Sequence, residues 1–390
     1  NLISDLGGYH AETLKKTGGF RQGYEGSQDY DLALRFIERI KPEQIIHIPK
    51  VLYHWRAHSE STAENIKRKP YAQEAAKRAI AEHLQRQNIK AEVEITSTSM
   101  YRIKYNLPLQ LPLVSIIIPT RNNKSFLKKC IKSIQKKTSY PNYELIVVNN
   151  NSDDPGTLNY LNSIQEEEKV TVLKDNRSFN FSAINNHASE YAGGELLCFL
   201  NDDTEVINSD WLHDMVRIIS QPEVAIIGAK LWYKDKTIQH AGVILGIGGV
   251  ASHAHKYMSE FDVGYFGRVN LIQEFSAVTA ACMLIKKHIF EEAGKFDEEN
   301  LSVNYNDIDL CLKVKNLGYK IVWTPYAELY HYESKSRGAD NNPEKKKRFE
   351  AEMEFMYKKW GKLLKNDPAY SPNLTLDAEN FELAFPPRTF

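Results

Sequence analysis

Short apolar runs alternate with amphipathic stretches from residue 113 to residue 200, and this alternation constrains the fold more than any other feature of the chain. Four runs predict buried strands: LVSIIIP (113–119), YELIVVNN (143–150), VTVL (170–173) and ELLCFL (195–200). Helical spacing or a helix-capping start marks the stretches between them: 124–137, from 154 onward, and 182–191. The pattern predicts an α/β fold with a mostly parallel central sheet flanked by helices.

Polar clusters follow the first two predicted strands, where sheets of this kind bind ligands. They are Pro119-Thr120-Arg121-Asn122-Asn123 and Asn149-Asn150-Asn151-Ser152-Asp153-Asp154. Short polar side chains and backbone N–H groups at a helix start suit a phosphate or a nucleoside. A plain turn with a helix cap is the alternative for both clusters, and neither is specific alone.

The third cluster, Asn201-Asp202-Asp203, follows the apolar run ELLCFL. Two adjacent carboxylates repel each other unless a cation or a hydrogen-bond donor lies nearby. Hard divalent cations prefer carboxylate oxygens and leave coordination positions for phosphate oxygens. The sequence therefore favours a metal site here over a turn that caps the helix starting near Asp210.

Two further motifs lie near the C-terminal end of the chain. Asp307 and Asp309 open a predicted helix two positions apart, so they point to different faces; Asp307 is the candidate base, with helix capping as its alternative. His331 follows an apolar strand and could complete a metal site, although a lone histidine is more often structural. Lys335 and Arg337, in a polar loop, could fold over a diphosphate.

A partial internal repeat sets the domain prediction. Gln28-Asp29-Tyr30-Asp31-Leu32 matches Asn306-Asp307-Ile308-Asp309-Leu310, and Tyr53-His54 matches Tyr330-His331. Only the second copy follows a long α/β segment, so the first copy is interpreted as the end of an upstream module. The predicted domains are 1–105, a module remnant with a helical linker; 106–370, the main domain; and 371–390, a C-terminal tail.

Composition narrows the function classes. Lys+Arg and Asp+Glu each number 50, so no global basic field indicates a nucleic-acid partner. Four widely spaced cysteines indicate a reducing compartment, and no signal peptide or membrane-length apolar run is recognisable. Because the first residue is Asn1, we expect the chain to be a piece of a longer protein. His240, His253 and His255 lack the ligand spacing that would indicate zinc.

Eight motifs in order carry a family resemblance: SIIIPTRNN, ELIVVNNNS, NRSFNFSAINN, FLNDDTEV, VTAACMLI, GKFDEEN, NDIDLCL and YHYESKSRG. In this order they resemble bacterial family 2 glycosyltransferases with the GT-A fold, most closely the multi-module enzymes of O-antigen, capsule or rhamnan synthesis. The resemblance covers about 109–367, and the N-terminal piece resembles the end of a second such module.

The resemblance implies roles for individual residues. Asp203 would bind Mn²⁺ or Mg²⁺, Asp202 would touch the ribose or the metal, His331 would be a third ligand, and Asp307 would be the catalytic base. It implies a nucleotide-binding set of Pro119, Thr120, Arg121, Asn149, Asn150, Asp175, Asn176, Asn185 and Asn201. It assigns the diphosphate loop to Lys335 and Arg337, and the sugar and acceptor cleft to Thr279, Ala280, Ala281 and Asn306.

The sequence departs from the family pattern at three positions. Asn149 stands where the family usually has an aspartate that contacts the base, which leaves the base and its affinity open. The metal motif begins with Asn201, and the base motif begins with Asn306 rather than glutamate, which leaves Asp307 intact.

The implied function is inverting, metal-dependent transfer of a sugar from a nucleoside-diphosphate donor of UDP or dTDP type to a growing cell-surface polysaccharide. A sugar-nucleotide nucleotidyltransferase and a non-catalytic carbohydrate-binding module are the alternatives. The acceptor would be an oligosaccharide or a lipid-linked saccharide, and the enzyme would be cytoplasmic and peripheral at the inner face of the membrane. The basic amphipathic stretch 343–364 is interpreted first as a helix packed on its own domain, and second as a membrane-surface or partner contact.

Overall fold

A computed structural model describes residues 7–50, 52–53, 70–333 and 343–388. The chain divides into two compact units, one that ends at Asn106 and one that spans 107–388. No helix in these described ranges is both long enough and apolar enough to cross a membrane.

The first unit packs three helices and a two-stranded antiparallel hairpin. Its elements are α1 (Ala11–Thr17), α2 (Gln28–Ile37), α3 (Pro70–Arg86), β1 (Ala91–Ile95) and β2 (Tyr101–Tyr105). Ile80 and Leu84 of α3 are buried with Val93 of β1, and Ala79 is buried with Tyr24. Burial of this apolar helix face is what holds α3 on the hairpin.

The second unit is built on a large twisted sheet. Its strands are β3 (Val114–Thr120), β4 (Tyr143–Asn150), β5 (Val170–Asp175), β6 (Leu196–Leu200), β7 (Thr204–Val206), β8 (Val224–Trp232), β9 (Ile238–His240), β12 (Gln273–Phe275), β13 (Cys282–Lys286) and β14 (Lys320–His331). A small separate hairpin comprises β10 (Val243–Leu245) and β11 (Ala251–His253). The main order is β12-β14-β8-β13-β6-β3-β4-β5, with β7 on β14 and β9 on β8.

The predicted α/β class with a mostly parallel central sheet flanked by helices is confirmed. Strands β6, β3, β4 and β5 are parallel neighbours, and β14 is parallel to β8. The strand β13 runs antiparallel between β6 and β8 and joins the two parallel groups. The flanking helices are α4 (Lys124–Lys137), α5 (Pro155–Ile164), α6 (Phe181–Glu190), α7 (Trp211–Ile219), α8 (Lys287–Glu292), α9 (Asn306–Asn316) and α10 (Pro343–Lys365).

Helix α10 packs on its own unit, as the first interpretation of its sequence expected. Met356, Trp360 and Leu364 lie on one face of the helix and are buried in the main core of the second unit. The segment predicted as a tail also belongs to this unit up to residue 388, because Leu374 and Phe381 are buried in the same core.

The internal repeat has a structural counterpart within each unit. Helices α2 and α9 begin at the matching residues 28 and 306. In α2 the buried Asp31 pairs with Arg35 four residues later, and in α9 the buried Asp309 pairs with Lys313 at the same spacing. The matching His54 lies outside the described residues.

Candidate active site

The carboxyl ends of β3 and β6 meet at one edge of the sheet because the two strands are parallel neighbours. Asp202, just after β6, is held there by donors from the last residue of β3 and from the loop that follows it. The Thr120 hydroxyl donates to Oδ2 of Asp202 at 2.6 Å, and the Asn123 amide donates to Oδ1 at 3.1 Å. Both carboxylate oxygens are therefore oriented by neutral groups, which stabilise the ionised form.

Asp203 lies against His331, at the far end of β14. Its Oδ1 is 3.2 Å from the imidazole Nε2, and both side chains are buried. The pairing of β7 with β14 sets this approach, since His331 opposes Thr204 and the Tyr332 N–H donates to the Asp203 carbonyl. The Asn201 amide nitrogen also lies 3.2 Å from Nε2 of His331. The metal motif and the histidine thus form one cluster.

This cluster fits a divalent cation that is completed by substrate oxygens. Asp203 and His331 supply one carboxylate and one imidazole, and no group of three or more His, Cys, Asp or Glu side chains in metal-binding proximity occurs among the described residues. Mg²⁺ and Mn²⁺ sites commonly use few protein ligands and leave positions for phosphate oxygens. Within the described chain Nε2 of His331 is the ring atom that faces Asp203, and Nδ1 is buried without a hydrogen-bond partner.

Asp307 sits at the start of α9, after Tyr305 in the left-handed region (φ 60°). Its Oδ2 accepts the Ala280 N–H at 3.1 Å, and its Oδ1 accepts the Ile308 N–H at 2.9 Å. Burial raises the pKa of the Asp307 carboxyl, while hydrogen bonds from these N–H groups and from Thr279 oppose the rise. A raised pKa makes a carboxylate a better proton acceptor near neutral pH.

The segment 279–281 connects Asp307 to the metal motif. Ala280 donates to Asp307, and the next residue, Ala281, accepts the Asn201 N–H through its carbonyl at 3.1 Å. Three consecutive small residues therefore separate the candidate base from the candidate metal ligands. Asn306, which was also predicted for the sugar and acceptor cleft, is buried, and its side-chain amide donates to the Val303 carbonyl at 3.1 Å.

The two loops after β3 and β4 are joined to each other. The Asn122 side chain donates to the Asp153 carboxylate at 2.5 Å and accepts the N–H groups of Asp153 and Asp154. Asn149 closes its own loop by accepting the Ser152 N–H at 3.0 Å. Of the predicted nucleotide residues here, Pro119 and Arg121 keep surface exposure, whereas Asn150 is buried.

The other three predicted nucleotide residues lie at the end of β5, just after it and in α6, and the Asp175 carbonyl accepts the Asn150 side-chain amide at 3.1 Å. Asp175 is buried and bonded to Arg177, whose guanidinium lowers the pKa of that carboxyl against the opposing effect of burial. Asn185 is buried in α6, where it donates to the Phe181 carbonyl. Asn176 is exposed after β5. The contacts of Asp175 and Asn185 are thus internal to the protein.

Lys335 and Arg337, predicted for the diphosphate, lie outside the described residues. The predicted set omitted Asn122 and Asn123, although both belong to the polar cluster after the first strand. Their signal was the left-handed tendency of asparagine at a strand-to-helix turn, which Asn122 realises with φ 52°. The hydrogen-bond partners of these side chains are distant in sequence, so the sequence pattern alone did not indicate these contacts.

Several known proteins are similar to this chain in sequence. The family model "Glycosyl transferase family 2" matches residues 115–293. An uncharacterized protein of Sinorhizobium fredii is 47% identical over 99% of this chain and 43% of its own length. The O-antigen biosynthesis protein RfbC of Myxococcus xanthus is 38% identical over 94% of this chain and 28% of its own length. The chain thus spans less than half the length of either relative.

A solved structure supports the fold independently. The chain is similar to GalNAc-T7, determined with UDP, GalNAc and Mn²⁺, with a TM-score of 0.53, 15% identity, and coverage of 69% of this chain and 52% of that one. At this identity the similarity concerns the fold alone. The α/β sheet, the motif order and the family match agree: residues 115–293 belong to the bacterial family 2 glycosyltransferases, and the second unit has the GT-A fold.

Proposed function

We propose that the second unit is an inverting, divalent-metal-dependent glycosyltransferase of cell-surface polysaccharide synthesis. The observation that carries the proposal is the join between the Asp203–His331 pair and Asp307 through residues 279–281. The site thus offers a metal-binding end and a proton-accepting end beside one segment. The similarity to RfbC, an O-antigen biosynthesis protein, supports the choice of polysaccharide.

In this proposal Asp203 and His331 would hold a divalent cation, which when bound would offset the negative charge of the diphosphate leaving group. Asp202, fixed by Thr120 and Asn123, orients the donor beside them. Asp307 accepts the proton of an acceptor hydroxyl as that oxygen attacks the anomeric carbon from the face opposite the leaving group. The bond to the diphosphate breaks as the new glycosidic bond forms, so one displacement inverts the configuration.

The donor is proposed to be a UDP- or dTDP-sugar bound at the loops after β3 and β4, with Lys335 and Arg337 contributing from the diphosphate loop. The acceptor is proposed to be an oligosaccharide or a lipid-linked saccharide that the enzyme meets at the inner face of the cell membrane. GalNAc-T7, the structural neighbour, was solved with UDP and Mn²⁺, which supports the choice of a nucleotide and a divalent metal as ligands.

The test is thermal unfolding of the chain with UDP-, dTDP- and GDP-sugars, with and without Mn²⁺, followed by transfer assays with the donor that stabilises. A ligand that binds only the folded state raises the unfolding temperature. We expect stabilisation that needs Mn²⁺, is lost in Asp203→Asn, and is kept in the exposed-acid control Glu168→Gln. Nuclear magnetic resonance of the product should show the inverted anomer; a retained anomer, or stabilisation independent of Asp203, would contradict the proposal.

A further inference from the structure

Helix α10 carries a buried carboxylate, Glu352, that contacts the loop leading into α9. The residue is only 2% exposed. Its Oε1 accepts the Ser302 hydroxyl at 2.9 Å and the Val303 N–H at 2.9 Å. Its Oε2 accepts the Asn304 N–H at 3.1 Å and the Asn304 side-chain amide at 2.6 Å. One carboxylate thus holds three consecutive residues of the loop, 302–304.

The four groups that donate to Glu352 are all neutral: a hydroxyl, two backbone N–H groups and a side-chain amide. Burial of a carboxylate costs free energy unless hydrogen bonds compensate it, and these donors supply the compensation. Hydrogen bonds are also directional, so they fix the orientation of the loop backbone in a way that an apolar contact of the same size does not. The contact of Glu352 therefore determines the geometry of the loop as well as its burial.

The residue that follows this loop has a strained backbone. Tyr305, directly before α9, has φ 60° and ψ 3°. The left-handed region is unfavourable for a bulky side chain, and such a conformation persists only where the surrounding structure holds it. Helix α10 also contacts this residue, because the rings of Phe349 and Tyr305 lie 5.7 Å apart between centroids. Phe349 and Glu352 lie on the same side of α10, so one helix face holds both the loop and the strained turn.

The strained turn sets the direction in which α9 leaves the loop, and hence the position of Asp307 at the start of that helix. The first residue of α9 is tied back to the same loop, since the Asn306 side chain donates to the Val303 carbonyl at 3.1 Å. Asp307 then accepts the Ala280 N–H at 3.1 Å. The orientation of the candidate base thus depends on the loop that Glu352 holds.

We propose that Glu352 is a positioning residue for the candidate base Asp307. Its carboxylate fixes the loop 302–304, and the loop fixes the turn from which Asp307 faces the segment 279–281. The inference rests on the proposed function, because it assigns an orienting partner to the base of that same site. Glu352 acts through the main chain and takes no proton itself. Its loss should therefore lower kcat for sugar transfer and leave donor binding unchanged.

The test compares the wild-type chain with Glu352→Gln, Asn304→Ala and Trp360→Phe. Glutamine keeps the size of the side chain but places an amide donor where the carboxylate accepted hydrogen bonds. Asn304→Ala removes one donor and leaves Glu352 in place, so it serves as the second variant if Glu352→Gln does not fold. Trp360→Phe removes another buried contact of α10, to Asp309, and is the matched control for general destabilisation.

Transfer is measured with Mn²⁺, UDP- and dTDP-sugars as donors, and methyl glycosides as acceptors, at a temperature where circular dichroism shows each variant folded. Thermal stabilisation by UDP with Mn²⁺ is measured on the same samples. Amide hydrogen exchange of residues 302–308 needs no substrate, so it reports on the loop independently of transfer.

We expect kcat to fall about tenfold or more in Glu352→Gln, and by a smaller factor in Asn304→Ala, because a small misplacement of a catalytic group is costly in rate. UDP stabilisation should be unchanged in both variants, Trp360→Phe should keep the wild-type kcat, and exchange at Val303 and Asn304 should be faster in Glu352→Gln. Wild-type kcat in Glu352→Gln, equal losses in Glu352→Gln and Trp360→Phe, or unchanged exchange would overturn the inference. Absence of transfer by the wild type, or full transfer by Asp307→Asn, would count against the proposed function instead.

Discussion

The indole N–H of Trp360 donates a 2.7 Å hydrogen bond to Oδ1 of Asp309, two residues after the candidate base Asp307. Lys359 adds a 2.7 Å contact to the same oxygen, and Lys313 lies 3.4 Å from Oδ2. Helix α10 is therefore bound to the face of α9 opposite Asp307. The two carboxylates of this motif therefore have different contacts. Asp307 accepts a hydrogen bond from the segment 279–281, and Asp309 anchors helix α10.

Replacing Trp360 by phenylalanine should destabilise the second unit without removing the site. The substitution removes a donor to a fully buried carboxylate, so the free energy of unfolding should fall by about 1–3 kcal/mol. Urea unfolding followed by circular dichroism measures this change. Tyr357→Phe, on an exposed part of the same helix, is the control and should shift the midpoint little. Equal stability of Trp360→Phe and the wild type would show that the indole bond contributes nothing.

The variant Asp307→Asn should bind the donor and fail to transfer the sugar. Loss of a general base reduces turnover by roughly 10²- to 10⁴-fold. Donor-induced thermal stabilisation should persist, because Asp307 contacts Ala280 and Ile308 rather than the loops after β3 and β4. Turnover within about threefold of the wild type would exclude Asp307 as the base.

Turnover should rise with pH through the elevated pKa of Asp307. Burial raises this pKa above the ordinary value of 3.8, and only the ionised carboxylate can accept the acceptor proton. The linkage to stability has the opposite sign: a carboxyl with a raised folded-state pKa favours folding below its unfolded-state pKa, and this contribution disappears as pH rises through the folded-state value. A profile of kcat between about pH 4 and pH 8 checks the first effect; an acid limb at or below 3.8 would contradict it.

The variant His331→Ala should weaken metal-dependent donor binding. The imidazole Nε2 lies 3.2 Å from Asp203, so its loss removes one of two proposed ligands. We expect the apparent affinity for Mn²⁺ in the presence of UDP to fall about tenfold or more. Titration of Mn²⁺ followed by thermal stabilisation measures the change, with His288→Ala on α8 as the matched control. A chelator should remove UDP stabilisation from the wild type.

The variant Asn122→Gly should weaken donor binding while it preserves the fold. Glycine adopts the positive φ of 52° without strain but removes the bonds to Asp153 and Asp154. We expect the dissociation constant for the donor nucleotide to rise by about tenfold, as for loss of one or two ordered hydrogen bonds. Asn88→Gly, at φ 57° in the first unit, is the matched control. Calorimetry with UDP and Mn²⁺ measures the dissociation constant for both variants.

The elements that sequence patterns predicted well are those whose order comes from local residues. The stretch 124–137 is α4 as predicted, and YELIVVNN is β4, since periodicity and β-branched runs act within a few residues. The strands β7, β9, β10, β11 and β12 each span three residues, too few for a pattern, and β7 and β12 are defined by pairing with the distant strand β14. The antiparallel insertion of β13 between β6 and β8 depends on such long-range pairing.

The contacts of the site residues also depend on long-range geometry. Asp203 and His331 are 128 residues apart in number yet adjacent in space, and the resemblance to a family indicated both. The resemblance also assigned Asp175 and Asn185 to the nucleotide, but the Asp175 carboxylate is bonded to Arg177 and the Asn185 amide donates to the Phe181 carbonyl. A side chain's partner depends on tertiary geometry that residue type does not determine.

The cross-bonded loops after β3 and β4 have a thermodynamic consequence. Asn122 fixes both loops to each other within the protein's own fold, so their conformational entropy is lost on folding rather than on ligand capture. A donor meeting this edge of the sheet encounters two loops already in position. The association rate of the donor should therefore be limited by diffusional encounter and not by a slow rearrangement of the loops. The free energy of nucleotide binding should include only a small entropy cost for ordering these loops.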